Sequence, residues 1–146
     1  MSTLATAMLQ KRAFRLDDNE DLSGSGIWYE NDPWTTHLLN AYTLLIPSGE
    51  RFIMRASSRW MNAASPELRE DLKTLFFQEG SHSREHARIV AAMKVEGLAL
   101  TKPVALIEWL SYRVVEPIAP SKLRLATAAA IEHHNAAIAS RKYGIG

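Results

Sequence analysis

The chain of 146 residues is long enough for one domain with a hydrophobic core, and its 47% apolar and 23% charged content is typical of a soluble globular protein. Its net charge of +1, with dispersed lysines and arginines, argues against binding to nucleic acid, and the absence of cysteine excludes disulfides, thiolate metal sites and cysteine nucleophiles. Because we find neither an apolar run long enough to span a membrane nor a signal-peptide pattern, we expect a cytoplasmic protein.

The first 26 residues predict an irregular segment, since they are polar and charged and end in the turn sequence Ser23-Gly24-Ser25-Gly26. Further on, Asp32 suits the N-cap of a helix whose first residue is Pro33. We expect that helix to extend to about Leu45 and to be broken by Pro47-Ser48-Gly49. We therefore divide the chain into an irregular N-terminal segment, residues 1–26, and a helical domain, residues 27–146, which carries every candidate ligand.

Apolar spacing and the positions of serine, glycine and proline predict four further helices. Ser48 would cap the first of these, Ser65 would cap the next, and Gly97 would end it. The predicted bounds are Gly49–Asn62, Pro66–Glu96, Val104–Val115 and Ser121–Tyr143. No segment has the alternation that predicts a strand, so the expected fold class is all-α and the simplest architecture is a helical bundle.

An acid and two histidines interrupt the apolar face of the predicted helix Pro66–Glu96. Burying a lone carboxylate is costly, so Glu79 needs a partner charge, a hydrogen-bond network or a metal. Glu-x-x-His on an inward helix face, here Glu79 and His82, is the ligand unit of dimetal carboxylate bundles. The alternative is a solvated face, which the apolar character of the other positions disfavours. Steps of three and four place on this face Leu68, Leu72, Leu75, Glu79, His82, His86, Ile89 and Met93.

His86 follows His82 by one helical turn. It could be a further ligand, a hydrogen-bond partner of the ligands, or a surface residue, and we favour the second role. Arg84 and Glu85 point to other sides of the helix, where we expect them to be solvated.

Two acids on other helices are candidates to join this site. Glu50 shares a side with Ile53 and Met54, which permits an inward orientation, although an acid in a first helical turn also simply favours the helix dipole. Glu132 lies on an alanine-rich helix whose small residues allow close helix packing. A solvent-facing cluster of Glu132, His133 and His134 is the alternative, which we rank below ligation by Glu132 but above ligation by either histidine.

The remaining polar residues supply no second site that the sequence identifies. His37 and Asn40 share a helix face but alone indicate only a polar surface or a satisfied core histidine. No Ser-His-Asp arrangement and no glycine-rich phosphate loop is evident. Any metal must therefore be held by His, Asp or Glu, and these ligands suit iron, manganese or zinc.

The order of these motifs resembles the bacterial family of predicted metal-dependent hydrolases. The family pattern is His-x-x-Asn-Ala, a Phe-Pro-x-Gly-Glu turn, Gln-Glu-x-x-His-x-x-x-His and Ala-Leu-Glu-His, in that order. The match extends from about Trp28 to Ala137. The matching stretches are His37-Leu38-Leu39-Asn40-Ala41, Ile46-Pro47-Ser48-Gly49-Glu50-Arg51-Phe52, Phe77-Gln78-Glu79-Gly80-Ser81-His82-Ser83-Arg84-Glu85-His86 and Ala128-Ala129-Ala130-Ile131-Glu132-His133.

The resemblance implies a ferritin-like helical fold with a carboxylate–histidine site. Its metal ligands would be Glu50, Glu79, His82 and Glu132, and His86 matches the second histidine of the motif. In a hydrolase of this type, either His86 or a carboxylate that binds no metal would accept the proton. The implied cofactor is a divalent metal, with iron favoured over zinc or manganese. The implied activity is hydrolysis of a small-molecule substrate that the sequence does not name.

The chain departs from the ferritin-like pattern in one respect. A complete site takes a second Glu-x-x-His from a further helix, and no Glu, Asp or His follows His134. We therefore expect an incomplete bundle, a shortened member of the family, or a homodimer that completes the site. The competing functions are a di-iron oxygenase or oxidase, in which Tyr42 or Trp60 would lie near a radical path, and a non-catalytic helical module.

Overall fold

The computed structural model describes residues 10–19, 26–95 and 101–143. All of the regular structure in these ranges is helical, which confirms the predicted all-α fold class. A π-helical segment, Leu110–Val115, joins two of the α-helices without a break. The α-helices are α1 Pro33–Ser58, α2 Pro66–Val95, α3 Thr101–Trp109, α4 Glu116–Ile118 and α5 Ser121–Tyr143.

Helix α1 continues through Pro47, so the predicted break at Pro47-Ser48-Gly49 and the separate helix Gly49–Asn62 are wrong. A proline inside a helix removes one backbone hydrogen bond and costs about 3 kcal/mol. The bond lost is the one to the Thr43 carbonyl, four residues earlier. Nearby side chains add two other hydrogen bonds to this turn, since the Ser48 hydroxyl donates to the Leu45 carbonyl at 2.9 Å and the Ser83 hydroxyl of α2 donates to the Pro47 carbonyl at 3.4 Å. Burial of the neighbouring Leu44, Phe52 and Ile53 adds apolar stabilisation that holds the helix together.

The predicted starts of α1 and α2 are confirmed. The Asp32 carboxylate accepts a hydrogen bond from the Trp34 backbone N–H at 3.0 Å, and the Ser65 hydroxyl accepts one from the Leu68 N–H at 3.2 Å. The predicted end of α2, with Gly97 as its stop, lies outside the described residues. The bounds predicted for α5 agree with the structure.

The helix predicted over Val104–Val115 differs from the structure in two ways. It begins earlier, at Thr101, and its last six residues form the π-helical segment. Single-turn π insertions widen a helix locally and frequently occur at functional sites. This segment packs the Tyr112 ring 6.3 Å from the Phe52 ring, on the core side of α1.

Helix α1 is the centre of the bundle and packs against α2, α3 and α5. Ala128 of α5 is 2% exposed, and its small side chain lets α5 approach α1 closely, whereas the neighbouring Ala129 is exposed. Within the described part of the chain, no helix is both long and apolar enough for a membrane span. The core consists of Phe52, Ile53, Ala56 and Ala128, flanked by Leu75, Tyr112 and Ile131.

Candidate metal centre

Glu50 of α1 lies one turn beyond Pro47 and turns its carboxylate into the bundle, where the residue is 7% exposed. Its Oε1 lies 3.7 Å from Nε2 of His86, and its Oε2 is buried without a hydrogen-bond partner among the described residues. A buried carboxylate oxygen without a donor is costly. Oε2 of Glu50 is therefore an acceptor that the described residues leave unsatisfied.

Helix α2 supplies Glu79, His82 and His86 from one face, as their spacing of three and four residues predicts. Glu79 is 6% exposed, and both histidines are partly buried. One ligand atom each from Glu50, Glu79 and His82 lies within 4.8 Å of the other two. Metal–ligand bonds of about 2.0–2.2 Å separate the ligand atoms of one ion by up to about 4 Å, so small side-chain rotations would bring these atoms to one ion.

Glu132 of α5 faces the same interior from the other side of the bundle. It is partly buried, and its charge raises the pKa of Glu50, Glu79 and Tyr42. It is not among the three residues with ligand atoms within 4.8 Å of one another. The structure thus brings all four predicted ligands to one region, with Glu132 further from the tight group formed by Glu50, Glu79 and His82.

The electrostatics of the group favour a cation. Burial, with the nearby charges of Glu79 and Glu132, raises the pKa of Glu50 to about 8. Burial and the Glu132 charge raise the pKa of Glu79 to about 7. Burial lowers the pKa of His82 and, together with the His82 charge, that of His86, so both imidazoles stay neutral near pH 7. Acids that repel one another beside neutral imidazoles form a donor set that fits a divalent metal.

Phe14 covers this group from the N-terminal segment. Its ring centroid lies 5.1 Å from that of His82, edge to face, and 6.2 Å from that of His86, stacked. Two backbone hydrogen bonds hold the segment on α2: the Phe14 N–H donates to the Ser81 hydroxyl at 3.1 Å, and the Leu16 N–H donates to the Glu85 carboxylate at 3.4 Å. An aromatic ring against both imidazoles limits the access of water to the carboxylates.

Comparison with known protein families matches residues 10–143 to the family described as predicted metal-dependent hydrolase. The match covers most of the chain. This protein belongs to the family of predicted metal-dependent hydrolases. Neither a curated protein nor a solved structure matches the chain.

The match to the metal-dependent hydrolase family begins at residue 10, so it includes the segment that carries Phe14. Sequence reasoning assigned no role to Phe14, because an isolated aromatic residue in an irregular polar stretch has no periodicity that shows what it covers.

The prediction that Glu85 is solvated is wrong, since this residue is only 9% exposed. Its carboxylate accepts from Leu16 and from the Arg88 guanidinium at 2.6 Å, which ties the N-terminal segment to α2. Arg84 is exposed, as expected.

The other histidines of the chain lie at the surface. His37, His133 and His134 are all exposed. Asn40 is buried and accepts a hydrogen bond from the Trp28 indole N–H at 3.0 Å, so it fastens the residues that precede α1. His82 and His86 are therefore the histidines available to the centre.

Proposed function

We propose that this chain is a metal-dependent hydrolase whose metal is bound by Glu50, Glu79, His82 and Glu132. The observation that carries the proposal is the convergence of Glu50, Glu79 and His82 from two helices, with ligand atoms within 4.8 Å of one another. Family membership gives the same reaction class. A divalent metal held there would supply Lewis-acid activation of water and substrate near neutral pH.

His86 is the proton acceptor in this proposal. Its lowered pKa keeps the imidazole neutral near pH 7, as a general base requires. Its Nε2 faces Glu50 Oε1 at 3.7 Å, while its Nδ1 is buried and has no hydrogen-bond partner among the described residues. The Glu50 carboxylate lies beside the ring, and the Phe14 ring stacks on the imidazole.

A ferritin-like di-iron oxidase is the second candidate. Three carboxylates and a neutral histidine are the donors that carboxylate-bridged iron sites use. Tyr42 of α1 donates a hydrogen bond to Asn135 of α5 beside Glu132, which places a phenol near the group. Two irons per chain with a near-ultraviolet oxo-bridge absorption would favour this candidate over hydrolysis, and zinc would favour hydrolysis.

A homodimer is also part of the proposal. Large apolar side chains remain exposed along α3 and the π-helical segment, and a second copy of this chain would cover them. A light-scattering mass of two chains would support this assembly, and a monomeric mass at tens of micromolar would contradict it. The exposed residues are Leu106, Ile107, Trp109, Leu110, Val114 and Val115.

The decisive experiment measures metal in protein purified without chelator, for the wild type and for Glu79→Gln. We expect about one or two equivalents in the wild type and less than a tenth of that in the variant, since the variant loses a charged ligand. Glu70→Gln is the matched control, because Glu70 is an exposed acid on the same helix, paired with Lys73 at 2.6 Å. A panel of esters, amides and phosphate esters, assayed with and without chelator, then tests hydrolysis.

Two results would overturn the assignment. Equal metal content in the wild type and Glu79→Gln would place the metal elsewhere. No metal in the wild type, together with a melting temperature unchanged by iron, zinc or manganese, would leave only the non-catalytic helical module.

A further inference from the structure

An open cavity of about 410 Å³ lies beside α1 and is lined by residues of α1, α3, the π-helical segment, α4 and α5. Five of the 11 arginines in the chain line it, and no lysine does. The acids in its lining are Glu108 and Glu116. The cavity therefore carries an excess of three positive charges. The arginines are Arg51, Arg55, Arg59, Arg113 and Arg124.

One of these arginines is fixed by the protein itself. Two guanidinium nitrogens of Arg55 donate to the two carboxylate oxygens of Glu116, at 3.1 and 2.7 Å. The Tyr112 ring lies 5.2 Å from the same guanidinium. Arg55 and Glu116 neutralise each other and form a rigid wall of the cavity.

The other arginines lack such partners. Among residues 10–19, 26–95 and 101–143, the ion pair of Arg55 with Glu116 is the only one formed by an arginine that lines the cavity. Nε of Arg124 is buried and has no hydrogen-bond partner in the same part of the chain. Arg51, Arg59 and Arg113 are exposed, so an anion in the cavity can reach their guanidinium groups without displacing a protein carboxylate.

We propose that this cavity binds a small multivalent oxyanion, either a phosphate ester or an organic di- or tricarboxylate. Guanidinium groups match the oxygens of phosphate and carboxylate through paired hydrogen bonds, and lysine does not offer this geometry. A lining excess of three positive charges favours a multivalent anion over a monovalent one. A volume of about 410 Å³ admits a small organic molecule as well as a single phosphate group.

The π-helical segment is the second structural feature that supports this site. It places Tyr112 and Arg113 in the cavity lining, and Glu116 follows it directly. A regular α-helix over the same residues would shift these side chains by a fraction of a turn. The site does not depend on metal, so it stands whether or not Glu50 and Glu79 bind an ion.

The test is calorimetric titration of the metal-free full chain with inorganic phosphate, pyrophosphate, citrate and acetate at low ionic strength. We expect pyrophosphate or citrate to bind at least tenfold more tightly than acetate. Arg124→Met and Arg59→Met should each weaken that binding by about 10- to 100-fold, because each removes a charged hydrogen-bond donor. Circular dichroism checks that both variants keep their helices.

Two further variants separate electrostatics from structural damage. Arg84→Met is the matched control, since Arg84 is exposed on α2 outside the cavity, and its affinity for pyrophosphate should match that of the wild type. Glu108→Gln removes a negative charge from the lining and should tighten binding several-fold. Stronger binding of pyrophosphate than of citrate would assign a phosphate ester, and the reverse would assign a carboxylate. Undetectable binding of all four anions, or equal affinity in the wild type, Arg124→Met and Arg59→Met, would overturn the proposal.

Discussion

Helix α1 separates two charged regions that differ in burial. The metal centre on one side gathers Glu50 and Glu79, which are 7% and 6% exposed, against neutral histidines. The arginine-lined cavity on the other side includes Arg51 and Arg59, which are exposed to solvent. Water screens the arginine charges but not the buried acids. The comparison teaches that the buried acids must be neutralised, by protons in the metal-free chain or by the proposed cation, whereas the exposed cavity can stay filled with water until an anion arrives.

The largest expected effect concerns proton transfer at the metal centre. His86→Gln should lower kcat by about 10²- to 10⁴-fold on the substrate that the hydrolysis panel identifies, because it removes the general base. Metal content should remain, since His86 is not among the three clustered ligands. The measurement is kcat with metal content determined on the same samples.

The pH profile sharpens this prediction. Because the pKa of His86 is lowered, activity of the wild type should be retained to below pH 6.5 before protonation abolishes it. His86→Gln should not show this fall in activity at acidic pH, whereas Arg84→Met should still show it. A kcat for His86→Gln within threefold of the wild-type value would show that His86 is not the base.

The second expected effect is stabilisation by metal. At a free metal concentration of 100 times Kd, ligand binding to the folded state adds about 2.7 kcal/mol to the free energy of unfolding. For a domain of this size that corresponds to a rise of roughly 5–10 °C in melting temperature. Glu79→Gln should lose this rise, whereas Arg59→Met should keep it, because Arg59 lies in the other region. If both variants lose the rise in melting temperature equally, the metal does not distinguish the Glu50 side of α1 from the arginine-lined cavity.

Several features of the fold and the centre were predictable from the sequence because they depend on local patterns. The caps at Asp32 and Ser65 and the bounds Ser121–Tyr143 follow from residues adjacent in the chain. Glu79 and His82 were identifiable because they interrupt an apolar face, and the structure places them with Glu50. Their metal remains a prediction.

The features that sequence reasoning missed depend on contacts between distant segments. Helix α1 continues through Pro47 where it packs against α2 and buries Leu44, Phe52 and Ile53, and Ser83, 36 residues further along, donates to the Pro47 carbonyl. Phe14 reaches α2 across 67 residues. The arginine cavity did leave one local signal, the spacing of four between Arg51, Arg55 and Arg59, which places them on one face of a helix. The interpretation of the basic residues as dispersed overlooked that spacing.

The third prediction concerns the pH dependence of the metal-free protein. Glu50 titrates at about 8 in the folded chain, against an ordinary value of 4.5, and Glu79 at about 7. A raised pKa means that the folded state holds the proton more tightly, so stability is lost as the pH rises from 4.5 through 8. We expect the free energy of unfolding to fall by about 2–4 kcal/mol between pH 6 and pH 8.5, the lower figure allowing for partial screening by solvent.

The histidines act in the opposite sense at lower pH. Because the pKa values of His82 and His86 are lowered by burial in the folded chain, these residues contribute to stability above pH 6.5. That contribution is lost as the pH falls through the pKa values of the folded state. In Glu50→Gln, the free energy of unfolding measured by urea titration should fall less steeply with rising pH than in the wild type. In Arg59→Met, it should fall as steeply as in the wild type. If the free energy of unfolding of Glu50→Gln falls with pH as steeply as that of the wild type, the pH dependence arises from groups outside the candidate metal centre.

The smallest expected effect tests what keeps water from the centre. Phe14→Ala removes an aromatic contact with His82 and His86, and such contacts contribute about 0.5–1.5 kcal/mol. Because Phe14 is itself 38% exposed, we expect a stability loss of about 1 kcal/mol at most. The more informative result is kinetic: metal release to excess chelator should accelerate several-fold, since water reaches the carboxylates more readily. Leu68→Ala is the control, because Leu68 is 51% exposed on α2 at a distance in sequence from the ligands. Unchanged release in Phe14→Ala would mean that burial within the helices alone limits the access of water to the carboxylates, and residues 10–19 would then support α2 without covering the metal.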